Sequence, residues 1–288
     1  MPLKEVSALL DLKPVISYAS TVLFNWALIE PSEPFSLRNI RCINTITGSP
    51  DEAWFYMVSI ASEALGGQII STIFDLQTQL HNSDFNAAKD SFCILLVLVN
   101  ELARTIDQMY INNYPNVFYK RTRKYLSGWS NDPTLPEGLH YGPNETGEFY
   151  HGASAAQSPL IQLIDIALGI IHPVKQDADA SGETRVGLPG AYLAQMHDYM
   201  LKEHRECLHY LKATLSIKDM AHGAGLDAPY NRCVEAVKEF RSAHIRMVSF
   251  YIVAQAAKED HEIQGTGGSN PIPFLKTIRN HTEHSKIP

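Results

Sequence analysis

One histidine stands inside the apolar stripe of a long helical run. The segment Tyr230–Val253 repeats apolar side chains three or four residues apart, at Cys233, Val237, Phe240, Met247 or Val248, and Tyr251. His244 falls four after Phe240 and three before Met247. A buried imidazole needs a partner for each ring nitrogen. It can bind a metal through one nitrogen and donate from the other, or it can be a core histidine satisfied by carbonyls. Asp165 is the only acid in the apolar helix Gln157–Ile171. Such a carboxylate requires a partner to offset desolvation, and the ring N–H of His244 is one candidate; an Asp facing solvent is the plainer reading.

Tyr119 and Arg123, four apart, share a helix face in Asn116–Trp129. A guanidinium beside an aromatic ring suits an aromatic substrate that carries a carboxylate. It also suits a surface arginine among Lys120, Arg121 and Lys124. The run Gln264-Gly-Thr-Gly-Gly-Ser269 lacks the spacing of a phosphate loop. Its glycines permit a tight turn that approaches a ligand, or a linker before the last helix.

These residues need elements to hold them, and the chain reads as helices throughout. Expected helices are Pro14–Ile29, Pro50–Leu80, Asp84–Asn112, Asn116–Leu126, Gln157–Ile171, Ala191–Thr214, Ile217–Ala221, Tyr230–Ala257 and Pro273–Glu283. No stretch shows the short alternation of a sheet, so the fold class is all-α. Loops rich in Gly, Pro, Ser, Asn and Asp span Ser127–Ala156, Pro173–Gly190 and Asp260–Pro273. The middle one is polar and reads as a mobile connection.

The length of 288 residues suits one large domain or two modest ones. A net charge of −7 without a basic tract argues against nucleic acid and anionic membranes as partners. No uninterrupted apolar run reaches the ~18 to 20 residues of a membrane span; the longest, Phe92–Val99, reads as a buried helix segment. The N-terminus lacks a signal-peptide core. The four cysteines, Cys42, Cys93, Cys207 and Cys233, form no CxxC pair. Cys93 and Cys233 read as small core residues, and a reducing, cytoplasmic location is the simplest expectation.

Ser127-Gly-Trp129, Gly152-Ala-Ser-Ala-Ala-Gln-Ser158, Phe240-Arg-Ser-Ala-His244, Gly265-Thr-Gly-Gly268 and Phe274-Leu-Lys-Thr-Ile-Arg279 occur in an order and spacing that resemble the indoleamine 2,3-dioxygenase family. The resemblance runs from about Lys13 to Glu283 and covers that family's large helical haem domain. The smaller domain that usually precedes it has no counterpart in this sequence. The implied architecture is a single helical haem-binding domain over residues 1–288, with 173–190 as a mobile loop and 260–273 as a Gly-rich closing loop.

The resemblance implies haem b, with His244 as the proximal iron ligand, Arg241 as the partner of a haem propionate and Asp165 as the acid behind the proximal histidine. Arg123 becomes the clamp on the substrate carboxylate, with Phe118 and Tyr119 around the indole. Ser154 and Ala155 form the loop over the haem edge, and Thr266 contacts the amino-acid end of the substrate. Phe55 and Ser59, four apart, line the distal wall, with Ser59 facing the iron; Tyr18 and Thr21 lie beyond the indole. No histidine falls on that distal segment, which suits oxygen adding to the indole without a distal base.

The implied reaction inserts O2 across the indole C2–C3 bond of L-tryptophan or a related indole to give N-formylkynurenine. A haem protein of the same fold that binds O2 or oxidises another indole is the alternative. The implied partners are a small indole, O2 and an electron donor that keeps the iron ferrous, and the expected state is a monomer. Tyr119, Tyr56 and Thr21 depart from the family pattern by adding hydroxyls to a pocket expected to be apolar. That departure predicts a preference for an indole with a polar ring substituent.

Overall fold

The fold is helical, and the long helices are set by side-chain period and by caps. The computed structural model describes residues 2–130, 132–143, 145–174, 189–259, 263 and 270–288. In chain order the elements are α1 (Pro2–Leu9), β1 (Trp26–Leu28), β2 (Ile40–Cys42), α2 (Pro50–Ala64), α3 (Gly66–His81), α4 (Phe85–Asp107), α5 (Met109–Asn112), α6 (Pro115–Lys120) and α7 (Pro159–Ala167). They continue with α8 (Pro189–Met196), α9 (Lys202–Thr214), α10 (Ile217–Gly223), α11 (Asp227–Val248), α12 (Ala254–Lys258) and α13 (Pro271–Glu283).

Helix starts follow the local chemistry. Ser49 caps α2 by accepting from the Asp51 amide, with Pro50 at the first turn. Asp84 caps α4 through the Ala87 amide at 3.1 Å. Ser158 caps α7 and Asn270 caps α13, each followed by proline.

The main core lies where α4 crosses α11 and α3, and where α7 packs on α9. Ile69, Ile73 and Leu76 from α3, Phe92, Leu95 and Leu102 from α4, and Tyr230, Cys233 and Val237 from α11 meet there. Burying each large aliphatic side chain contributes about 1.5–3 kcal/mol. The stripe expected on 230–253 is thus the inward face of α11. The run Phe92–Val99 is only half buried, because Cys93, Ile94 and Val97 fall on the outer face of α4. Cys93 is therefore exposed and not a core residue; Cys233 is buried.

Several expected elements are divided. A two-stranded antiparallel sheet, Trp26 opposite Cys42, stands where the helix Pro14–Ile29 was expected. Only one π-helical turn, Ala19–Leu23, precedes it. Asn25 is the reason. Its amide donates to the Thr21 and Asn44 carbonyls, and its side-chain oxygen accepts from the Asn44 amide at 2.8 Å. It ends the helical turn and docks the strand pair in one stroke. The run 50–81 bends at Leu65, and its 32 residues are by length and composition apolar enough to cross a membrane. Its inward face, Ile69, Ile73 and Leu76, is part of the core.

The long run expected over 191–214 divides into α8, a 3-10 turn at His197–Tyr199 and α9. After α11 a π-helical turn, Ser249–Val253, leads into α12. Helix α1 was not anticipated. The expected loops over 173–190 and 260–273, with Thr266 and Gly265–Gly268, fall largely outside the described residues.

Candidate functional site

Helices α2 and α11 face each other across two adjoining cavities of about 220 and 260 Å³. His244 and Met247 of α11, Phe55 of α2, Leu126, and the loop residues Ala153–Ala156 border both. Most of the lining is apolar.

The α11 wall carries the reactive groups. His244 projects from the stripe identified in the sequence, and neither ring nitrogen has a hydrogen-bond partner among the described residues. Burial, reinforced by the Arg241 charge, pushes its pKa down to about 4. The imidazole is neutral at physiological pH, with a lone pair available at the cavity. One turn earlier Arg241 is buried and also lines the first cavity. Its Nη2 donates to both oxygens of Asp165 at 2.6 Å, and its Nη1 to the hydroxyl of Thr282 on α13.

Asp165, expected behind His244, makes its hydrogen bonds among the described residues to Arg241 and His172 and none to His244. It lies on α7, pairs with Arg241, and accepts from or faces Nε2 of His172 at 3.1 Å. A guanidinium satisfies two carboxylate oxygens at once where an imidazole N–H satisfies one, so the buried acid is drawn to the arginine. His172 in turn meets His281 of α13, Nδ1 to Nδ1, at 3.0 Å. Sequence reading missed His172, His281 and Thr282. They are distant in sequence from Arg241, and no spacing rule connects them.

The α2 wall is quieter. Phe55 and Ser59 face the first cavity together, as their spacing of four predicts. The Ser59 hydroxyl is returned to the Phe55 carbonyl at 3.1 Å. Tyr18 and Thr21 line the same cavity, and the Thr21 hydroxyl is bound to the Ser17 carbonyl at 2.9 Å. One turn beyond Ser59 is Glu63, a wall residue that sequence reading did not single out. It accepts from the Tyr18 hydroxyl at 2.9 Å and from the Ser158 hydroxyl at 2.5 Å. Burial raises its pKa, and the two hydroxyls oppose that rise.

The segment 152–157 closes the end between the walls. Its geometry explains two of the glycines in the family-like motifs. Gly128 has φ +65°, and a Cβ on Gly152 would stand 1.9 Å from the Leu126 carbonyl oxygen. The two strands of chain cross so closely that neither position accepts a side chain. Gln157 ties this segment to 17–18, donating to the Gly152 carbonyl and accepting from the Tyr18 amide, both at 2.8 Å. Ser154 and Ala155 border both cavities, and the Ser154 side chain accepts from the Ala156 amide.

Phe118 lines the second cavity, with its ring 4.9 Å from Phe55 and 5.7 Å from Tyr251. Tyr119 and Arg123 do not line either cavity. Arg123 lies over the Tyr119 ring at 5.2 Å, a cation–π contact, and burial lowers its pKa. The shared face read from their spacing is present, directed at each other. The three extra hydroxyls do not make the pocket polar. Thr21 is satisfied by backbone, Tyr119 is off the lining, and Tyr56 is buried in the cluster of Tyr18, Ile40 and Ile60, beside Glu52. Of the three, only Thr21 reaches the cavity, with its hydroxyl already donated to the Ser17 carbonyl, and Tyr56 and Tyr119 stand off the lining, so the expected preference for a polar ring substituent has little structural basis.

Comparison with known proteins settles the family. The sequence profile of indoleamine 2,3-dioxygenase matches residues 1–285. The chain belongs to the indoleamine 2,3-dioxygenase family. It is 30% identical to indoleamine 2,3-dioxygenase of Saccharomyces cerevisiae, over 98% of this chain and 70% of that protein. It is 34% identical to an indoleamine 2,3-dioxygenase of Aspergillus nanangensis, over 98% of this chain and 72% of that one. With human indoleamine 2,3-dioxygenase 2 the identity is 30%, over 99% and 71%.

Proposed function

We propose that this protein is a haem-dependent dioxygenase that adds both atoms of O2 across the C2–C3 bond of L-tryptophan or a related indole, giving N-formylkynurenine. The observation that carries the reading is the neutral His244 imidazole, without a hydrogen-bond partner among the described residues, at the junction of two apolar cavities and one turn from a buried arginine. That donor set fits haem. His244 would bind the iron, Arg241 would pair with a haem carboxylate, and Ser154 would border the group. When bound, haem supplies the redox chemistry with O2.

The chain's own residues do the rest by exclusion and orientation. The apolar lining keeps water out. Phe55 and Phe118, in contact with each other, offer flat surfaces to an aromatic ring. The Ser59 hydroxyl is held by the Phe55 carbonyl and abstracts no proton from a substrate. Arg123 would bind the substrate carboxylate only by leaving the Tyr119 ring.

The position of Arg123 favours one second reading, oxidation of an indole that lacks a carboxylate. Four free cysteines support the further reading of a reducing, cytoplasmic compartment. An external electron donor and a monomeric state complete the proposal.

The test is an optical spectrum of the haem-loaded, reduced protein with mass analysis of the product. A histidine-ligated spectrum and a tryptophan product heavier by two oxygen atoms is the expected result. Haem binding with product only from a decarboxylated indole moves the assignment to the second reading. Haem binding without any oxygenated product overturns both.

A further inference from the structure

The buried pair behind Arg241 poses a charge problem. Arg241 and Asp165 neutralise each other, and both side chains are 8% exposed. Resting on the haem reading above, a haem carboxylate brought to Arg241 would place two anions around one guanidinium in a desolvated site. Such an arrangement is unfavourable unless a further positive charge arrives.

The structure provides a place for it. Nε2 of His172 lies 3.1 Å from Asp165 Oδ2, an oxygen that Arg241 also holds, and His281 continues from His172 at 3.0 Å. His172 is nearly as buried as Asp165, while His281 is only half buried. The tautomers follow from the geometry. Nε2 of His172 must donate to the carboxylate, so in the neutral pair its Nδ1 accepts from Nδ1–H of His281. A proton from solvent adds at the remaining nitrogen of His281. Transfer of the Nδ1 proton inward then makes His172 an imidazolium against Asp165. One proton enters, no covalent bond to carbon changes, and the cluster gains one positive charge.

We propose that His172 and His281 form a proton-accepting pair that supplies the positive charge Arg241 lacks when a haem carboxylate binds beside it. Both are positioning residues that act through Asp165 and Arg241. The other charged groups around them are accounted for. Arg279 and Glu283 lie on the same helix as His281, His284 caps its end, and Lys238 of α11 and Lys286 bind Glu283 at 2.8 and 2.7 Å. From α8, which packs on α13, no ionisable side chain but Tyr192 is present. Burial, with the neighbouring His172, His284 and Arg241, lowers the pKa of His281, which favours its neutral form before a carboxylate arrives.

The test uses iron-free protoporphyrin IX, which carries the carboxylates but cannot bond to His244 through iron, and its dimethyl ester, which lacks the charges. Binding to the apo protein is read by quenching of tryptophan fluorescence between about pH 6 and pH 8. Protoporphyrin affinity should fall several-fold as pH rises, bounded by about tenfold per unit for one proton. The ester should show no such slope. His172→Gln and His281→Gln should each flatten the slope while the porphyrin still binds.

A wild-type slope that both variants retain overturns the proposal. Proton uptake upon porphyrin binding, from calorimetry in buffers of different ionisation enthalpy, checks it without any substitution. About one proton more for protoporphyrin than for the ester is expected, and equal uptake overturns it. If neither haem nor porphyrin binds at any pH, the haem reading itself fails, an outcome distinct from binding without a pH slope.

Discussion

The two walls of the cavity solve opposite problems. On the α2 wall, polar groups are silenced. Ser59 and Thr21 return their hydroxyls to the helical turn before them, and Glu63 is held by two hydroxyls. On the α11 wall, one nitrogen pair is left unsatisfied at His244, while the neighbouring Arg241 is bound by an acid and a threonine from two other helices. The difference teaches that a neutral, apolar face can be built within one helix by back-bonding. A charged group beside a cavity needs partners from elsewhere in the chain.

The sharpest break in the comparison is at His244. Replacing it with Ala should abolish stoichiometric haem binding, read as the haem-to-protein ratio after reconstitution, whereas no single change on the α2 wall should do so. Retention of full haem occupancy in His244→Ala would remove the ligand assignment. Next, Asp165→Ala should destabilise the apo protein by about 3–5 kcal/mol in urea denaturation, because it strands a buried guanidinium. The double variant Asp165→Leu with Arg241→Met should recover much of that loss. If the single and double variants are equally unstable, the ionic pair is not the cause.

Arg123 tests where substrate recognition lies. Arg123→Ala should raise KM for tryptophan by roughly tenfold with haem retained, the loss of one charge-assisted contact. An unchanged KM would leave the arginine to its tyrosine and support the carboxylate-free substrate.

Glu63 gives a pH signature. Its pKa is raised in the folded protein, so between its ordinary value and the raised one the native state binds more protons than the unfolded chain. Its contribution to stability is greatest below that window and is lost as pH rises through it. Glu63→Gln should therefore be relatively more stable than the parent at neutral pH than at pH 4, measured by apo-protein urea midpoints; identical pH profiles would contradict this. The smallest effect is expected for Ser59→Ala. It should change apo stability by no more than about 0.5 kcal/mol, since the lost hydroxyl bond is an intrahelical back-bond. A large change in turnover there would show that the hydroxyl leaves its carbonyl during the reaction.

Much of this was legible along the chain. The stripe containing His244 and the pairing of Phe55 with Ser59 follow from a period of 3.6 residues. The motifs around Gly128 and Gly152 were visible too, although their reason, a backbone crossing that excludes any Cβ, was not. The strand pair was hidden because Asn25 acts on Asn44, beyond the reach of helical periodicity.

Sequence by itself determined the helical class, the apolar face of α11 and the presence of His244 on it, because these depend on neighbours within a few residues. Only the tertiary structure decided which partner each buried charge takes. Asp165 chose Arg241 over His244, Arg123 chose Tyr119 over the cavity, and His172 met His281 across 109 positions. The physical reason is that desolvated charges must be paired wherever the fold brings a partner within hydrogen-bond reach, and that reach is a distance in space with no period along the chain.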